Sequence, residues 1–161
     1  MTNISFVCPV GKYKPEKGNS ICISCPAYSE STAPGSRICQ CKIGYYRNKN
    51  DDDNMSCTRP PSEPRNLQTE SVDQRQAVLT WLPPEDNGRS DLYYKVVCHD
   101  CGPNVSYEPS SEVTDTRVTL NNLDTSSDYR VIVYALNGVS EQAGQESMKS
   151  TLITVRTSDA R

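Results

Sequence analysis

Ala77-Val78-Leu79-Thr80-Trp81-Leu82-Pro83-Pro84 is the stretch on which the fold turns. Ala77, Leu79 and Trp81 alternate with their neighbours, which places all three on one face of an extended strand. Pro83-Pro84 then withholds two amide donors and stops the strand. Glu85-Asp86-Asn87-Gly88 supplies turn chemistry, with Gly88 free to take positive φ. The same period of two recurs downstream in short runs bounded by Pro, Gly, Asn and Asp. Strands are expected at 65–71, 76–82, 91–98, 104–108, 116–121, 129–136 and 151–157, with no helical stretch needed. Alternation turns Leu92, Tyr94, Val96 and Cys98 inward, then Val118 and Leu120, then Tyr129, Val131, Val133 and Ala135. These residues should share one core with Trp81, in an antiparallel sandwich of about 100 residues.

The residues before Pro64 follow a different rule. Of the 8 cysteines in the 161-residue chain, Cys8, Cys22, Cys25, Cys39, Cys41 and Cys57 lie in the first 60 residues, leaving Cys98 and Cys101 for the rest. Cys8-Pro9 precedes Cys22 by the same interval that separates Cys25-Pro26 from Cys39, a period of 17, and Cys41 to Cys57 makes a slightly longer third lap. Cys8-Pro9-Val10-Gly11-Lys12-Tyr13 and Cys41-Lys42-Ile43-Gly44-Tyr45-Tyr46 share the pattern Cys-x-x-Gly-x-Tyr. Each lap reads as a short hairpin closed by its own bridge. Such a segment, almost without Leu, Val or Phe, cannot bury enough apolar area to offset its chain entropy, so cross-links must take the place of a core. Six cysteines allow fifteen pairings; equivalence of the laps favours Cys8 with Cys22, Cys25 with Cys39 and Cys41 with Cys57. A crossing, growth-factor-like pattern sharing only the last pair is the competitor. Zinc knuckles at Cys22-x-x-Cys25 and Cys39-x-Cys41 are a rival reading. Three sequons, at Asn3, Asn54 and Asn104, argue instead for a secreted, oxidising history and glycosylation.

Charge divides where the cysteines do. Residues 1–60 hold eight Lys+Arg against five Asp+Glu, net +3, while 61–161 hold nine against fifteen, net -6, which sums to the net charge of -3. The reading is therefore two domains, 1–58 and 65–161, joined through a proline-rich linker at 59–64 that favours an extended, stiff connection. An acidic balance gives no bulk attraction to nucleic acid or anionic lipid. No run of 18 apolar residues offers a membrane span, and no charged-then-apolar opening offers a signal peptide. The chain reads as a soluble piece of something longer.

Trp81-Leu82-Pro83-Pro84, the run Leu92-x-Tyr94-x-Val96, and Leu123 followed six residues later by Tyr129 resemble a fibronectin type III domain, the last pair matching its tyrosine corner. The expected fold is thus all-β, a small disulfide-rich, EGF/TNF-receptor-like module followed by a seven-stranded fibronectin type III sandwich with Trp81, Tyr94, Leu123 and Tyr129 as its core markers. Cys98-x-x-Cys101-Gly102-x-Asn104-Val105-x-Tyr107-x-Pro109, Thr116-Arg117-Val118 and Asn137-Gly138-Val139-Ser140 extend the likeness. With a cysteine-rich neighbour, these strings resemble the ectodomain of the Eph family of ephrin receptor tyrosine kinases. The chain departs from the family pattern by passing straight from Cys98 to Cys101 without a longer cysteine-bearing insertion, as in a divergent member.

That resemblance implies an extracellular part of a single-pass plasma-membrane receptor, with the ephrin-binding head, membrane span and kinase outside this chain. Its work would be to space the head from the membrane and to support lateral contacts with other copies of the same receptor, ephrin being bound through a neighbouring domain. A soluble or cytokine-receptor-like module recognising a protein ligand through its loops is the alternative; a redox or metal protein is more distant. The residues name no catalytic group, metal site or cofactor. His99 between Cys98 and Asp100 suggests a Cys–His pair, but neighbours on a strand point to opposite faces, and a Cys98–Cys101 bridge accounts for both thiols. Asp51-Asp52-Asp53-Asn54 lacks the glycine and distal glutamate of a calcium loop and reads as a solvated turn. Lys12, Lys14 and Lys17 head the net-positive module, whose attraction to the net-negative sandwich of a neighbour would be salt-dependent. Peptide mapping without reduction is expected to return the three sequential bridges and Cys98–Cys101; a Cys8–Cys25 peptide would overturn the lap-by-lap pairing.

Overall fold

A computed structural model describes residues 7–14, 21–86 and 88–160, and divides the chain into two compact units, 1–59 and 60–161. In the first unit, β1 (Lys12–Tyr13) pairs antiparallel with β2 (Ile23–Ser24), and β3 (Ser29–Glu30) with β4 (Gln40–Cys41). An isolated bridge joins Tyr46 to Thr58. Each pairing joins a residue inside one lap to the residues just after that lap's closing cysteine, and the structure closes the laps with disulfides Cys8–Cys22, Cys25–Cys39 and Cys41–Cys57, Cα atoms 5.7, 5.7 and 5.6 Å apart. The shared Cys-x-x-Gly-x-Tyr signature has a backbone cause. Lys12 N donates to Pro9 O and Tyr45 N to Lys42 O, making the same turn twice, and Gly11 and Gly44 both sit at φ 88. Nothing lies within 4 Å of a Cβ added at either glycine, so the left-handed backbone and not crowding demands the residue. Among the described residues of this unit, Cys8, Cys39, Cys57 and Tyr13 are buried together with the small hydroxyls Ser29 and Ser31. Closing loops of this length contributes about 3 kcal/mol per bridge by restricting the unfolded chain.

The second unit is a sandwich of two four-stranded antiparallel sheets. One sheet runs in the order β5 (Arg65–Val72), β6 (Ala77–Leu82), β10 (Arg117–Asn121), β8 (Ser106–Glu108). The other runs β12 (Lys149–Arg156), β11 (Asp128–Leu136), β7 (Tyr93–His99), β9 (Glu112–Val113). Sidedness follows the alternation. Ala77, Leu79, Trp81, Tyr94, Val96, Val118, Leu120, Leu123, Tyr129, Val131, Val133 and Ala135 form one buried cluster, with Leu92 and Cys98 packed against it. Trp81 meets Tyr94 edge-on, ring centroids 5.3 Å apart at 70°, the arrangement favoured by the ring quadrupoles.

Three features depart from the expectation of seven strands, no helix and a stiff linker at 59–64 lying between the two domains. β9, only two residues long, adds an eighth strand by pairing Val113 with Tyr94 and Glu112 with Lys95; two residues are too few for a period to show. A helical turn α1 (Ser140–Ala143) and a 3-10 turn (Gln145–Ser147) follow β11. They start from a side-chain knot: Asn137 N donates to Ser140 Oγ at 2.9 Å and Val139 N to Asn137 Oδ1 at 3.1 Å. The segment 60–64 belongs to the sandwich unit. Pro61 and Pro64 are fully buried, Ser62 N donates to Asp86 O at 2.9 Å, and Thr151 Oγ1 donates to Pro64 O at 2.6 Å. Prolines suit that role because they fill space while leaving fewer amides to satisfy.

Trp81→Ala is expected to destabilise the sandwich by about 3 to 5 kcal/mol, read as a large drop in the midpoint of denaturant unfolding at unchanged slope. A midpoint that scarcely moves would show that the indole is not the anchor of this core.

Candidate functional site

Among the described residues no group of three or more His, Cys, Asp or Glu side chains is placed to hold a metal, and no helix is long and apolar enough to cross a membrane. Cys98 and Cys101 are joined to each other, Cα atoms 5.7 Å apart, and all described cysteines are paired. His99 is exposed and faces no free thiol. Asp51 accepts from Asn48 N at 2.9 Å, and Met55 N donates to Asp52 O at 3.1 Å, so the Asp51-Asp52-Asp53 run closes a turn on itself. The sequon asparagines Asn54 and Asn104 are exposed, as a modification site must be; Asn3 lies outside the described residues. Lys12 is exposed and Lys14 half-buried, while Lys17 also lies outside them.

What the structure builds is a set of polar ties at the ends of the sheets. The Tyr129 hydroxyl accepts a hydrogen bond from Asp124 N at 2.8 Å, while Leu123, fully buried beside it, donates its own N–H to Arg75 O at 3.0 Å. A ring that is apolar in the core and hydrogen-bonded at its tip fixes the crossing from one sheet to the other. At the opposite end Asp91 Oδ1 accepts from Arg89 Nε at 3.1 Å and from Gly138 N at 3.0 Å, fastening the loop before β7 to the turn after β11. Desolvation pushes the Asp91 carboxyl up. The Arg89 guanidinium and the Gly138 amide outweigh it and hold the group below the usual carboxylate value of 3.8.

Sequence reasoning missed the Asp91 tie, because it joins residues 47 positions apart. It also missed an exposed aromatic cluster in the first unit. Tyr28 and Tyr45 stack with centroids 4.3 Å apart at 3°, and the Arg59 guanidinium lies 5.8 Å from the centre of the Tyr45 ring. Tyr28 does so from φ 61, a conformation a tyrosine adopts only at a cost. Lys42 N donates to Tyr28 O at 3.0 Å and helps to hold it there.

A cysteine-rich unit whose laps are each closed by a disulfide, followed along the chain by a sandwich carrying a tyrosine corner, defines a modular two-unit architecture. Comparison with known proteins makes this specific. Residues 62–151 match the family model of the fibronectin type III domain, and 6–39 match that described as tyrosine-protein kinase ephrin type A/B receptor-like. Ephrin type-A receptor 4-B of Xenopus laevis is 36% identical over 165 residues, 95% of this chain and 16% of the relative. Ephrin type-B receptor 2 of Coturnix japonica is 34% identical over 148 residues, 84% of this chain and 15% of the relative. The extracellular region of rat CD45, domains d3-d4, superposes with a TM-score of 0.51 at 17% identity, covering 63% of this chain and 52% of that one, a likeness of fold. The chain belongs to the fibronectin type III family, and through nearly its whole length it is a homologue of the ephrin receptors. It spans about a sixth of the length of the curated relatives it matches.

The depressed Asp91 carboxyl stabilises the fold when ionised. That contribution is present above the ordinary value of 3.8 and is lost as pH falls through the lower folded value. Unfolding followed between neutral pH and pH 2 is therefore expected to show a loss of stability in acid that Asp91→Asn reduces; an unchanged acid limb in the variant would remove the tie from the account.

Proposed function

We propose that this chain is a middle segment of an ephrin-receptor ectodomain, lying outside the plasma membrane on a single-pass receptor. In this reading it holds a ligand-binding head away from the membrane and helps engaged receptors pack side by side. The observation that carries it is the homology, 36% identity across 95% of the chain, to a receptor whose name states its ephrin class. The described architecture supports a spacer role: laps closed by disulfides resist extension, and Pro61 and Pro64 are buried in the sandwich. Ephrin would be met by a neighbouring domain, and the lateral partner would be another copy of the same receptor. N-linked glycans on exposed Asn54 and Asn104 belong to the same proposal. Each lateral contact need only be weak, since receptors held on one membrane are at high effective concentration.

Surface-binding measurement of the secreted chain against an immobilised ephrin ectodomain is expected to show no saturable binding. Added in excess to cells carrying the full-length receptor, the same chain is expected to reduce ephrin-induced clusters. Tight ephrin binding by the chain would overturn the spacer reading, and clusters unchanged at saturating chain would overturn its part in packing.

A further inference from the structure

One end of the β5-led sheet carries a polar cleft that borders a sequon. Val105 and Tyr107 pack against the core cluster, and the Tyr107 hydroxyl accepts from Cys98 N of the opposite sheet at 3.1 Å. Alternation then turns Asn104, Ser106 and Glu108 to the outer face of the sheet, and all three are exposed. Ser106 lies opposite Asn121 on β10, and Gln76 Nε2 donates to Asn121 Oδ1 at 2.8 Å. Two carboxamides and a hydroxyl thus make one row across the end of the sheet. Asn122, held at φ 63, donates from Nδ2 to Ser106 Oγ at 3.5 Å. Asp73, Arg75 and Glu108 complete the walls of a cleft of about 530 Å³, within the range of about 300–1,000 Å³ that takes small ligands. β8 stands at the edge of its sheet, next to β10.

We propose that this cleft is the seat of the N-linked glycan carried on Asn104, and that it orders the first N-acetylglucosamine residues against the row Gln76, Asn121 and Ser106. Covalent attachment fixes the occupant. Ser106 is both the third residue of the Asn104-Val105-Ser106 sequon and a wall of the cleft, and two residues of extended chain span at most about 7 Å. The sugar attached to Asn104 therefore starts at the rim. In the transfer, a bond forms from Asn104 Nδ2 to the sugar C1 as the C1–O bond to a lipid-linked pyrophosphate donor breaks; Nδ2 gives up a proton, and the lipid pyrophosphate leaves. The chemistry of the walls suits this ligand. Each sugar brings hydroxyls and an acetamide that both donate and accept, as do the carboxamides of Gln76 and Asn121 and the hydroxyl of Ser106. Arg75 stands among Asp73 and Glu108, so the walls carry both signs of charge and favour a neutral, hydroxyl-rich ligand over an ionic one. Tethering supplies high effective concentration, so individually weak hydrogen bonds suffice. Seated there, the sugars shield β8, an open edge of the kind that invites pairing with other chains. Asn54 differs, lying beside the turn that Asp51 and Asp52 close in the first unit and outside this cleft. The inference rests on the extracellular reading proposed above, and adds where one glycan lies and what it protects.

The experiment uses the 161-residue chain secreted from cells that add N-linked glycans, with occupancy of each sequon read by glycopeptide mass spectrometry. Amide exchange in β8 and β10 is expected to be about tenfold slower in the glycosylated chain than in Asn104→Gln, the effect of roughly two net hydrogen bonds on local opening. Asn54→Gln is expected to leave those amides unchanged. Asn121→Ala, which removes the centre of the row, is expected to erase the difference between glycosylated and Asn104→Gln chains, and Gln76→Ala, at an exposed position, to reduce it while circular dichroism stays unchanged. Equal exchange with and without the Asn104 glycan, or slowing that survives both alanine variants, would overturn the proposal. So would a secreted chain occupied at Asn54 and bare at Asn104, a result that leaves the extracellular reading standing; a chain bare at both would remove the glycan reading along with it.

Discussion

The supply of apolar side chains along the chain governs everything else in this structure. No leucine occurs in the first 60 residues, and that unit buries cysteines and one tyrosine where a larger domain would bury an aliphatic core. Folding such a segment means restricting its unfolded ensemble, which disulfides do, because area removed from water cannot. From residue 65 the supply changes, and so does the means. Two inward faces of alternating Val, Leu, Tyr and Trp meet in one layer that excludes water without needing a cross-link. The second unit's single disulfide, Cys98–Cys101, closes only a local turn at the end of β7.

A layer of apolar contacts says little about where strands must end, and polar groups carry that information. The Tyr129 hydroxyl on Asp124 N, Asp91 between Arg89 and Gly138, and the Asn137–Ser140 knot each satisfy backbone amides at the rim, where the ladder stops. Pro61 and Pro64 finish one end by filling it. The aromatic stack of Tyr28 and Tyr45 has a comparable place in the cysteine-rich unit, joining its second and third laps.

Much of the sandwich was legible because period-two alternation is local: Ala77, Leu79 and Trp81 declare a face within five residues, and β7, β10 and β11 announce themselves the same way, whereas β5, with only Leu67 and Val72 apolar, does not. The β9 pairing was not legible, since Glu112-Val113 contains no period, and neither was α1, whose cause is a hydrogen-bonded knot and not helical patterning. Surface rows built from register were equally hidden. Val97, Ile132 and Leu152 are ordinary strand residues in sequence and become a row only once β7, β11 and β12 are paired. The Cys-x-x-Gly-x-Tyr repeat is visible as letters, yet its reason, a left-handed glycine closing the same turn twice, belongs to the backbone. Family membership was readable from Trp81, Tyr129 and the Asn137-Gly138-Val139-Ser140 string together.

Two units held by different physics must respond differently to one reagent. Amide hydrogen exchange followed by mass spectrometry, with and without a thiol reductant under otherwise native conditions, measures this directly. In reductant, peptides from the first unit are expected to lose their protection, including those spanning Lys12–Tyr13 and Gln40–Cys41, while β6, β7 and β11 keep theirs. Retained protection throughout the first unit after full reduction, or simultaneous collapse of both units, would contradict the claim that cross-links stand in for a core in one and are dispensable in the other.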